Sequence, residues 1–268
     1  VHEGLAKANR ELFEQAKDDF WNDSKAVDWS RELTLSPEER RALARVGSTL
    51  YYGERAALLV SAQLIPMVPD EEARFVLSAQ VMEEAKHVSV FRRLLQKLDE
   101  IHPCDPWARR LLTDLARVRH PVGKLLGMQL IVENVANNLF HALAKSVDDE
   151  LVREVLHYVE RDEKKHTGLA VLYLPSLLPG LGPVDRAMLA ARQLYWGFCI
   201  ERAIWGHRHD ADVLGVDLYD AMLRGLKTQE NLLDRMGMTR GVFRIRALEQ
   251  MTLNLYKRRN ERSRAHKH

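Results

Sequence analysis

Cysteine is scarce in this chain of 268 residues, and the two that occur, Cys104 and Cys199, are far apart. They form neither a Cys-x-x-Cys pair nor a framework of disulfides. This excludes a zinc or iron–sulfur site built on thiolates, and it favours a reducing compartment such as the cytoplasm.

Long apolar runs are also missing, since no segment approaches the ~20 residues that a membrane-crossing helix needs. The first four residues, Val-His-Glu-Gly, lack the apolar segment of a signal peptide. Charge is nearly balanced at a net +2, so no global excess points to nucleic acid. A basic tail from Lys257 to His268 is interpreted as a solvated terminus. We therefore expect no membrane span, no nucleic-acid partner and a cytoplasmic location.

Alternation of apolar and polar residues, the pattern of a half-buried strand, is absent over any useful length. Proline and glycine instead punctuate long segments with helical periodicity. A helix is predicted to begin at Ser36-Pro37 and end near Leu64, and a second runs from Asp70 to about Leu98. A third and a fourth flank the turn at residues 147–149, and Pro175, Pro179-Gly180 and Gly182-Pro183 are expected to break the chain after the fourth. The fold class is therefore all-α.

Shorter elements surround these four helices. A short helix and an irregular arm occupy the chain up to about Leu35, and a helical piece, Trp107–Arg119, lies in the connection between the two hairpins. Three amphipathic helices are predicted near 184–210, 217–236 and 239–260. We predict one domain over residues 1–268, with a four-helix bundle at about 37–175 and a helical cover at about 184–262.

One motif occurs twice. Glu54 is followed thirty residues later by Glu84, and Glu133 is followed thirty residues later by Glu163. The second glutamate of each pair begins a Glu-x-x-His run, which ends at His87 or His166. Because positions i and i+3 share a helix face, each run directs a carboxylate and an imidazole to one point. At ~1.5 Å per residue, an antiparallel hairpin brings both glutamates of a pair to the same level.

Four carboxylates and two imidazoles from four helices form the ligand set of a dinuclear metal site. Four carboxylates neutralise two divalent ions, and an oxygen-rich set with few imidazoles suits iron and manganese. We predict two metal ions, Fe/Fe or Mn/Fe, with some glutamates bridging; the ligands are Glu54, Glu84 and His87 for one ion and Glu133, Glu163 and His166 for the other. A buried salt-bridge network is the alternative.

Other side chains are predicted around these ligands. Asp162 and Glu83 precede the two Glu-x-x-His runs and are placed to reach the opposite histidines, His87 and His166 respectively. Four residues are candidates for a substrate pocket: Gln80, Phe91, Gln129 and Asn137. The three amides are equally explained as ordinary buried hydrogen-bonding groups. A second polar group is interpreted as surface residues at helix ends: Glu201, His207, His209, Asp210 and Asp212.

Residues 10–175 resemble the small, radical-generating subunit of ribonucleotide reductase and its ligand-binding oxidase relatives. The resemblance rests on the arm Phe20-Trp21-Asn22 and the segment 28–31, on Gly53-Glu54 and Val132-Glu133, and on the two Glu-x-x-His runs. It implies a ferritin-like bundle, a homodimer and an external electron donor. It also implies that Trp21, Asp162 and His87 form a hydrogen-bonded chain that carries an electron to the metals.

Four positions depart from the patterns of these relatives. Phe91 stands where many reductase subunits store a tyrosyl radical. Ala56 and Met128 stand where the ligand-binding oxidases form a tyrosine–valine ether crosslink. Val159 stands where the arylamine N-oxygenases carry an extra histidine ligand. These chemistries are therefore not expected in this chain.

The function expected from the motifs and the resemblance is a dinuclear metal oxidase or oxygenase. It would activate O2 to oxidise a mainly apolar small molecule, for which a fatty-acid-like compound is one candidate. Two alternatives come from other classes. A radical-generating partner protein would bind a large catalytic subunit, and a ferroxidase would turn over iron repeatedly. Ferritin subunits are shorter and need only one Glu-x-x-His.

Overall fold

The computed structural model describes residues 2–68 and 70–237. In this part of the chain every regular element is helical, which confirms the predicted fold class. In chain order the α-helices are α1 (His2–Asp18), α2 (Asp23–Ala26), α3 (Pro37–Leu64), α4 (Glu71–Leu98), α5 (Pro106–Arg117), α6 (Pro121–Lys124), α7 (Glu133–Ser146), α8 (Glu150–Leu177), α9 (Pro183–Gly206), α10 (Arg208–Val213) and α11 (Leu218–Arg235). A π-helix, Leu125–Val132, joins α6 to α7, and 3₁₀ turns occupy Ile65–Met67 and Leu178–Gly180.

Two helical hairpins form the bundle. Helices α3 and α4 pack along each other, as do α7 and α8, and α4 also contacts α8. The starts of these helices are capped as their sequences predict. Ser36 and Glu39 form a reciprocal capping box on α3, and Asp70 and Asp149 accept hydrogen bonds from the first turns of α4 and α8. These caps satisfy amide groups that would otherwise lack a partner, and so they determine where each helix begins.

The apolar core is divided into two clusters along the bundle. One cluster contains Leu50 of α3, Phe91 of α4 and Phe140 of α7. The other contains Leu64 of α3, Leu77 of α4 and other side chains of the π-helix and α8. On all four helices the predicted metal ligands fall between the two clusters. The bundle therefore holds these polar groups at one level, enclosed by apolar side chains on both sides.

The N-terminal segment is more ordered than its sequence suggests. Helix α1 is seventeen residues long and packs on α4 and α8, rather than being a short helix. The arm that follows carries Trp21, which is 5% exposed, against the bundle. Asn9 of α1 donates hydrogen bonds to Asp70 and Tyr173, and these contacts attach α1 to the N-terminal end of α4 and the C-terminal part of α8.

The C-terminal helices cover one side of the bundle. Helix α9 packs on α5, α10 on α3 and α11 on α7. The helices predicted near 184–210 and 217–236 are present, and the first ends at Gly206, before the short α10. The helix predicted near 239–260 lies outside the described residues, as does the basic tail. Helix α8 ends at Leu177, inside the segment of prolines and glycines that was predicted to break the chain, and Pro175 lies within its last turn.

In the described part of the chain, no helix is long and apolar enough to cross a bilayer.

Candidate metal centre

The structure brings the six predicted ligands together inside the bundle. Glu54 comes from α3, Glu84 and His87 from α4, and Glu163 and His166 from α8. Glu133 is the first residue of α7, directly after the π-helix. None of the six is more than 4% exposed. Charged side chains are rarely buried this deeply without partners or a cation, so their convergence indicates a site rather than a structural accident.

Their donor atoms form two overlapping groups. One group contains Glu54, Glu84, His87 and Glu163, and the other contains Glu84, Glu133, Glu163 and His166. Within each group the ligand atoms lie within 4.8 Å of one another. Glu84 and Glu163 belong to both groups, whereas Glu54 and Glu133 each belong to one. Two ions held by these groups would share Glu84 and Glu163, and Glu54 and Glu133 would be the terminal carboxylates.

Both histidines direct Nδ1 to the centre and Nε2 outwards. His87 Nδ1 lies 3.1 Å from both Glu54 Oε2 and Glu163 Oε1. His166 Nδ1 lies 3.1 Å from Glu84 Oε1. On the outer side, His87 Nε2 lies 3.1 Å from Asp162 and His166 Nε2 lies 2.9 Å from Glu83. Each acid thus contacts the histidine of the other hairpin, and this contact holds the imidazole ring in a ligating orientation.

The N-terminal arm extends this network. Trp21 Nε1 donates a hydrogen bond of 2.7 Å to Asp162 Oδ2, the same oxygen that contacts His87. The Trp21 ring also stacks on Tyr158, with a centroid separation of 4.6 Å. A continuous hydrogen-bonded chain therefore runs from the arm through Asp162 to the histidine on α4.

Two buried lysines complete the network, and the sequence reasoning did not single them out. Lys86 Nζ lies 2.8 Å from Asp162 Oδ2, and Lys165 Nζ lies 2.7 Å from Glu83 Oε1. Their side chains are only 6% and 7% exposed. Each lysine immediately precedes the histidine of its motif, and this shared offset is the signal that could have identified them. The two cations neutralise the two outer carboxylates, which are buried close to the centre.

The protonation of the centre shows how well it suits cations. Burial and the charge of Glu163 raise the pKa of Glu54 to about 8, and the same two causes raise that of Glu133 well above its usual range. Burial opposes ionisation of Glu84, but the charge of His166 together with hydrogen bonds from His166 and His87 outweighs burial and lowers the pKa of Glu84. Burial opposes protonation of His87, but hydrogen bonds between its ring and several acids, of which Asp162 contributes most, raise its pKa. Protons on Glu54, Glu133 and the two histidines thus balance the charge of the four carboxyl groups. Two divalent ions would replace these protons.

Two carboxylate oxygens without hydrogen-bond partners also indicate a cation site. Glu84 Oε2 and Glu133 Oε1 are fully buried and have no hydrogen-bond partner. An orphaned buried carboxylate oxygen is costly, and coordination to a cation removes that cost. The donor set, four carboxylates and two imidazoles without a thiolate, fits two iron or manganese ions.

The π-helix determines how Glu133 faces the centre. The backbone N–H of Glu133 donates to the carbonyl of Met128, five residues earlier, rather than to the residue four earlier. This wider turn changes the rotation of α7 relative to α6. Nothing in the residue pattern predicts it, since apolar residues occupy this segment except at Gly127 and Gln129.

A cavity of about 300 Å³ opens beside the centre. Glu54 and Glu133, the two terminal carboxylates, form part of its wall. Most of the remaining wall is apolar and comes from α3, α5, α7, α9, α10 and α11; it includes Leu50, Leu112, Leu139, Ile200, Ala221 and Met222. The C-terminal helices are therefore not only a cover, because they close the cavity on the side away from the ligands.

None of the four predicted pocket residues lines this cavity. Gln129 donates a hydrogen bond of 2.8 Å to Gln80, whose own amide donates to Glu84 Oε1 at 3.3 Å. Phe91 stacks on Phe140 in the apolar core. Asn137 is half-buried and absent from the wall, which instead contains its neighbours Asn134 and Asn138. These two asparagines were missed because the rotation of α7 could not be read from the sequence.

The second polar group, at residues 201–212, was interpreted as a surface feature, but part of it is buried. Asp210 is 6% exposed and accepts a hydrogen bond of 2.9 Å from Arg45 Nε. His207 Nδ1 lies 3.2 Å from Asp210, and His207 Nε2 lies 2.9 Å from the hydroxyl of Thr49. Thr49, His207 and Glu201 all line the cavity. The expectation holds for His209 and Asp212, which are exposed, and fails for Asp210, because α10 packs against α3 and buries its carboxylate.

No protein-family model and no curated protein sequence matches the chain. Solved structures do match it. A Synechococcus protein with aldehyde deformylating oxidase activity superimposes with a TM-score of 0.66 at 19% identity, covering 81% of this chain and 98% of that chain. An R2-like ligand-binding oxidase with an aerobically reconstituted Mn/Fe cofactor gives a TM-score of 0.51 at 17% identity, covering 93% and 91%. A point variant of that oxidase gives 0.53 at 17% identity, covering 93% of both chains. The chain therefore has the ferritin-like fold of these proteins, as predicted.

Proposed function

We propose that this protein is a dinuclear non-haem metal oxidase or oxygenase that uses O2 to oxidise a mainly apolar small molecule. The observation that carries the proposal is the cavity wall. Glu54 and Glu133, each belonging to one ligand group, face the same mostly apolar cavity. A molecule held there would lie beside both metal positions. Two bound ions, Fe/Fe or Mn/Fe, would supply the electrons and Lewis acidity for O2 reduction.

The residues of the chain have distinct roles in this proposal. Glu54, Glu84 and His87 would hold one ion, and Glu133, Glu163 and His166 the other, with Glu84 and Glu163 shared. Asp162 and Glu83 orient the histidines, and the two buried lysines form ion pairs with these outer acids. The apolar clusters on both sides exclude water from the centre.

The substrate class follows from the cavity. Its volume of about 300 Å³ falls in the range of small-molecule sites, and its wall is mostly apolar. Thr49, His207 and Glu201 offer polar groups to a bound molecule. A fatty-acid-like compound, an apolar chain with a polar end, matches these features. The names of the structural neighbours, an aldehyde deformylating oxidase and a ligand-binding oxidase, are consistent with this class.

A radical-generating partner protein is the second candidate, and the chain from Trp21 through Asp162 to His87 favours it. Two observations weigh against this candidate. Phe91 occupies the radical-storing position and is buried in the core. Lys86 Nζ lies 4.5 Å from the centre of the Trp21 ring, and a cation at this distance opposes oxidation of the indole. The oxidase role is therefore preferred. Assembly as a homodimer and supply of electrons by an external donor stay predictions from resemblance.

Rapid mixing with oxygen tests the proposal. Metal-free protein is loaded anaerobically with Fe(II), or with Mn(II) plus Fe(II), and is then mixed with oxygenated buffer in a stopped-flow spectrometer. We expect two ions per chain and a transient visible absorption whose decay is faster when a fatty acid or fatty aldehyde is present. Glu163→Ala should lose the bound ions and the transient absorption, because Glu163 belongs to both ligand groups. Glu160→Gln, three residues away on α8 and paired with His141 and Lys164 instead, should behave as the wild type.

Other outcomes would refute the oxidase role. A flat absorption trace with both metal loadings, at full occupancy of two ions, would contradict it directly. Turnover of many iron ions per chain with mineral formation would favour the ferroxidase. A stable radical after oxygen exposure, without any effect of apolar molecules, would favour the radical-generating partner.

A further inference from the structure

Helix α9 carries a row of exposed apolar side chains. Its outer stripe consists of Val184, Met188, Leu194, Tyr195 and Phe198, which are 71%, 56%, 46%, 40% and 45% exposed. They are five of the nine large apolar side chains that are exposed in the described part of the chain. Such side chains are unremarkable when scattered, but a contiguous row of them indicates an interaction surface.

The spacing places the outer stripe on one face of the helix. Residues 184, 188, 195 and 198 recur at steps of three, four and seven, which follow the helical repeat. The stripe extends over ~21 Å of the helix, at 1.5 Å per residue. Among residues 2–68 and 70–237 no element covers it, as the exposure of its members shows. The inner face of α9 is buried, with Leu189, Trp196 and Ile200 packed on the bundle.

Positive charge surrounds the outer stripe. Near its first end, Met188 shares a surface depression of about 340 Å³ with several basic side chains and a single acid; the charged members are Arg117, Arg119, His120, Arg192 and Asp185. Near its other end, the Phe198 ring packs edge-on against Trp107, at a centroid distance of 5.2 Å. Arg110 and Arg202 lie 4.4 Å and 5.9 Å from the centre of the Trp107 ring. All five arginines are exposed.

We propose that α9 docks this protein onto a bilayer that contains anionic lipids. The outer stripe would enter the boundary between headgroups and acyl chains, and the surrounding arginines would contact lipid phosphates. An amphipathic helix with an apolar face, aromatic residues and flanking arginines is the ordinary form of an interfacial helix. The protein as a whole is nearly neutral, so this charge is a local feature that complements an anionic surface. A convex helix with charge of almost one sign suits a continuous bilayer better than a shaped protein partner.

This placement has a consequence for the proposed function. Gln193, Gly197 and Ile200 on the inner face of α9 line the cavity. One helix would therefore separate the acyl chains of the bilayer from the cavity, which shortens the path of an apolar substrate from membrane to metal centre. This consequence rests on the proposed function, whereas the docking itself requires neither metals nor catalysis.

Vesicle flotation with the full chain tests the docking. The protein is mixed with vesicles of phosphatidylcholine alone, or of phosphatidylcholine and phosphatidylglycerol in equal parts, and the bound fraction is measured. We expect binding to the anionic vesicles and little binding to the neutral ones. The double substitution Met188→Glu and Phe198→Glu should lower the partition coefficient at least about tenfold, because it puts charge into the inserted face. Met82→Glu is the matched control, since Met82 of α4 is 54% exposed and lies outside the outer stripe.

The contribution of the basic tail must be separated from that of α9, since Lys257 to His268 can attract anionic vesicles by charge alone. The double variant keeps this tail. Undiminished binding of the double variant would assign the effect to the tail and overturn the proposal. Failure of the wild type to bind anionic vesicles would also overturn it, and light scattering would then show whether a second copy covers the outer stripe. Circular dichroism and two bound metal ions in the double variant would establish that loss of binding is not unfolding and leaves the metal centre intact.

Discussion

Lys86 and Lys165 form a crossed set of charges around the centre, in which each hairpin supplies a lysine to an acid of the other. Lys86 of α4 pairs with Asp162 of α8, and Lys165 of α8 pairs with Glu83 of α4. Because these acids also contact the site histidines, the lysines connect the stability of the bundle to the geometry of the ligands. Removing one lysine leaves a buried carboxylate without its cation.

A pair of neighbouring lysines tests this role. Lys165→Met should lower the free energy of unfolding of the metal-free protein by about 3 kcal/mol, because Glu83 and Asp162 remain buried. Lys164→Met should change it by less than about 0.5 kcal/mol, since Lys164 is 63% exposed and pairs with Glu160 at the surface. Urea denaturation of both variants provides the measurement. Equal effects of the two substitutions would show that the buried pair contributes nothing specific.

The pKa of Glu54 predicts how the centre responds to pH. In the metal-free protein this pKa is about 8, above its ordinary value of 4.5, so folding favours the protonated carboxyl. The stability that this group contributes is present below pH 4.5 and is lost as pH rises towards about 8. Binding of a divalent ion has the opposite dependence, because Glu54 must release its proton.

We therefore expect metal affinity to rise between about pH 6 and pH 8, by about tenfold per pH unit for each proton released. Mn(II) titration followed by calorimetry in buffers of different ionisation enthalpy measures both the affinity and the protons. Glu54→Gln should bind its ion more weakly and release fewer protons. An affinity that stays constant over this pH range would contradict the protonation described for the centre.

At the scale of the elements, the π-helix depends on a close contact with the C-terminal helices. A Cβ atom at Gly127 would lie 2.3 Å from Leu115 Cδ2 of α5 and 2.8 Å from Trp196 Cζ3 of α9. The Trp196 ring cannot easily move, since it is fully buried and its Nε1 donates to Asp114 at 2.8 Å. Glycine at this position lets α5 and α9 approach the segment that leads to Glu133.

Two helical glycines form a matched test of this contact. Gly127→Ala should lower the free energy of unfolding by about 1–3 kcal/mol, because the added methyl group overpacks the contact with Trp196. Gly53→Ala on α3 meets no atom within 4 Å and should raise stability by about 0.5–1 kcal/mol. Thermal denaturation of both variants decides the sign of each change. Stabilisation by Gly127→Ala would mean that α5 and α9 do not pack as closely as described.

At the scale of the whole molecule, the cavity is formed by helices that are far apart in sequence. The wall that contains Glu54 and Glu133 comes from α3 and α7, whereas α9, α10 and α11 close the cavity from the opposite side. Substitutions on the closing helices can therefore change ligand binding without touching the metal centre. This separation allows occupancy of the metals and occupancy of the cavity to be measured independently.

Filling the cavity from α11 uses this separation. Ala221 lines the cavity and is 8% exposed, so Ala221→Phe should occupy part of its volume. We expect two metal ions to bind as before, whereas the affinity for a fluorescent fatty-acid probe should fall about tenfold or more. Ala187→Phe, at an exposed position of α9, is the control for adding an aromatic ring. Unchanged probe affinity in Ala221→Phe would place the apolar ligand elsewhere.

Much of this molecule was predictable because the signals were local and repeated. The helix starts at Ser36, Asp70 and Asp149 follow from capping chemistry, and the two Glu-x-x-His runs follow from the spacing of a helix face. The ferritin-like class follows from these two features together. The contacts of Asp162 and Glu83 with the opposite histidines were also anticipated, since twin hairpins of equal length bring their motifs to one level. The assignment of metal ligands stays a prediction until ions are measured, and so does a single domain extending over residues 1–268.

The sequence by itself thus determined the helices, their pairing into hairpins and the set of polar residues that meets between two apolar clusters. Only the tertiary structure decided which glutamates are shared, that Lys86 and Lys165 are buried, and that the cavity lies against Glu54 and Glu133. It also decided that Gln80 and Phe91 lie away from the cavity. The physical reason is that helical periodicity assigns a residue to a face of its own helix, whereas a contact between helices depends on their mutual rotation. That rotation is determined by the π-helix, by the approach at Gly127 and by the packing of the C-terminal helices.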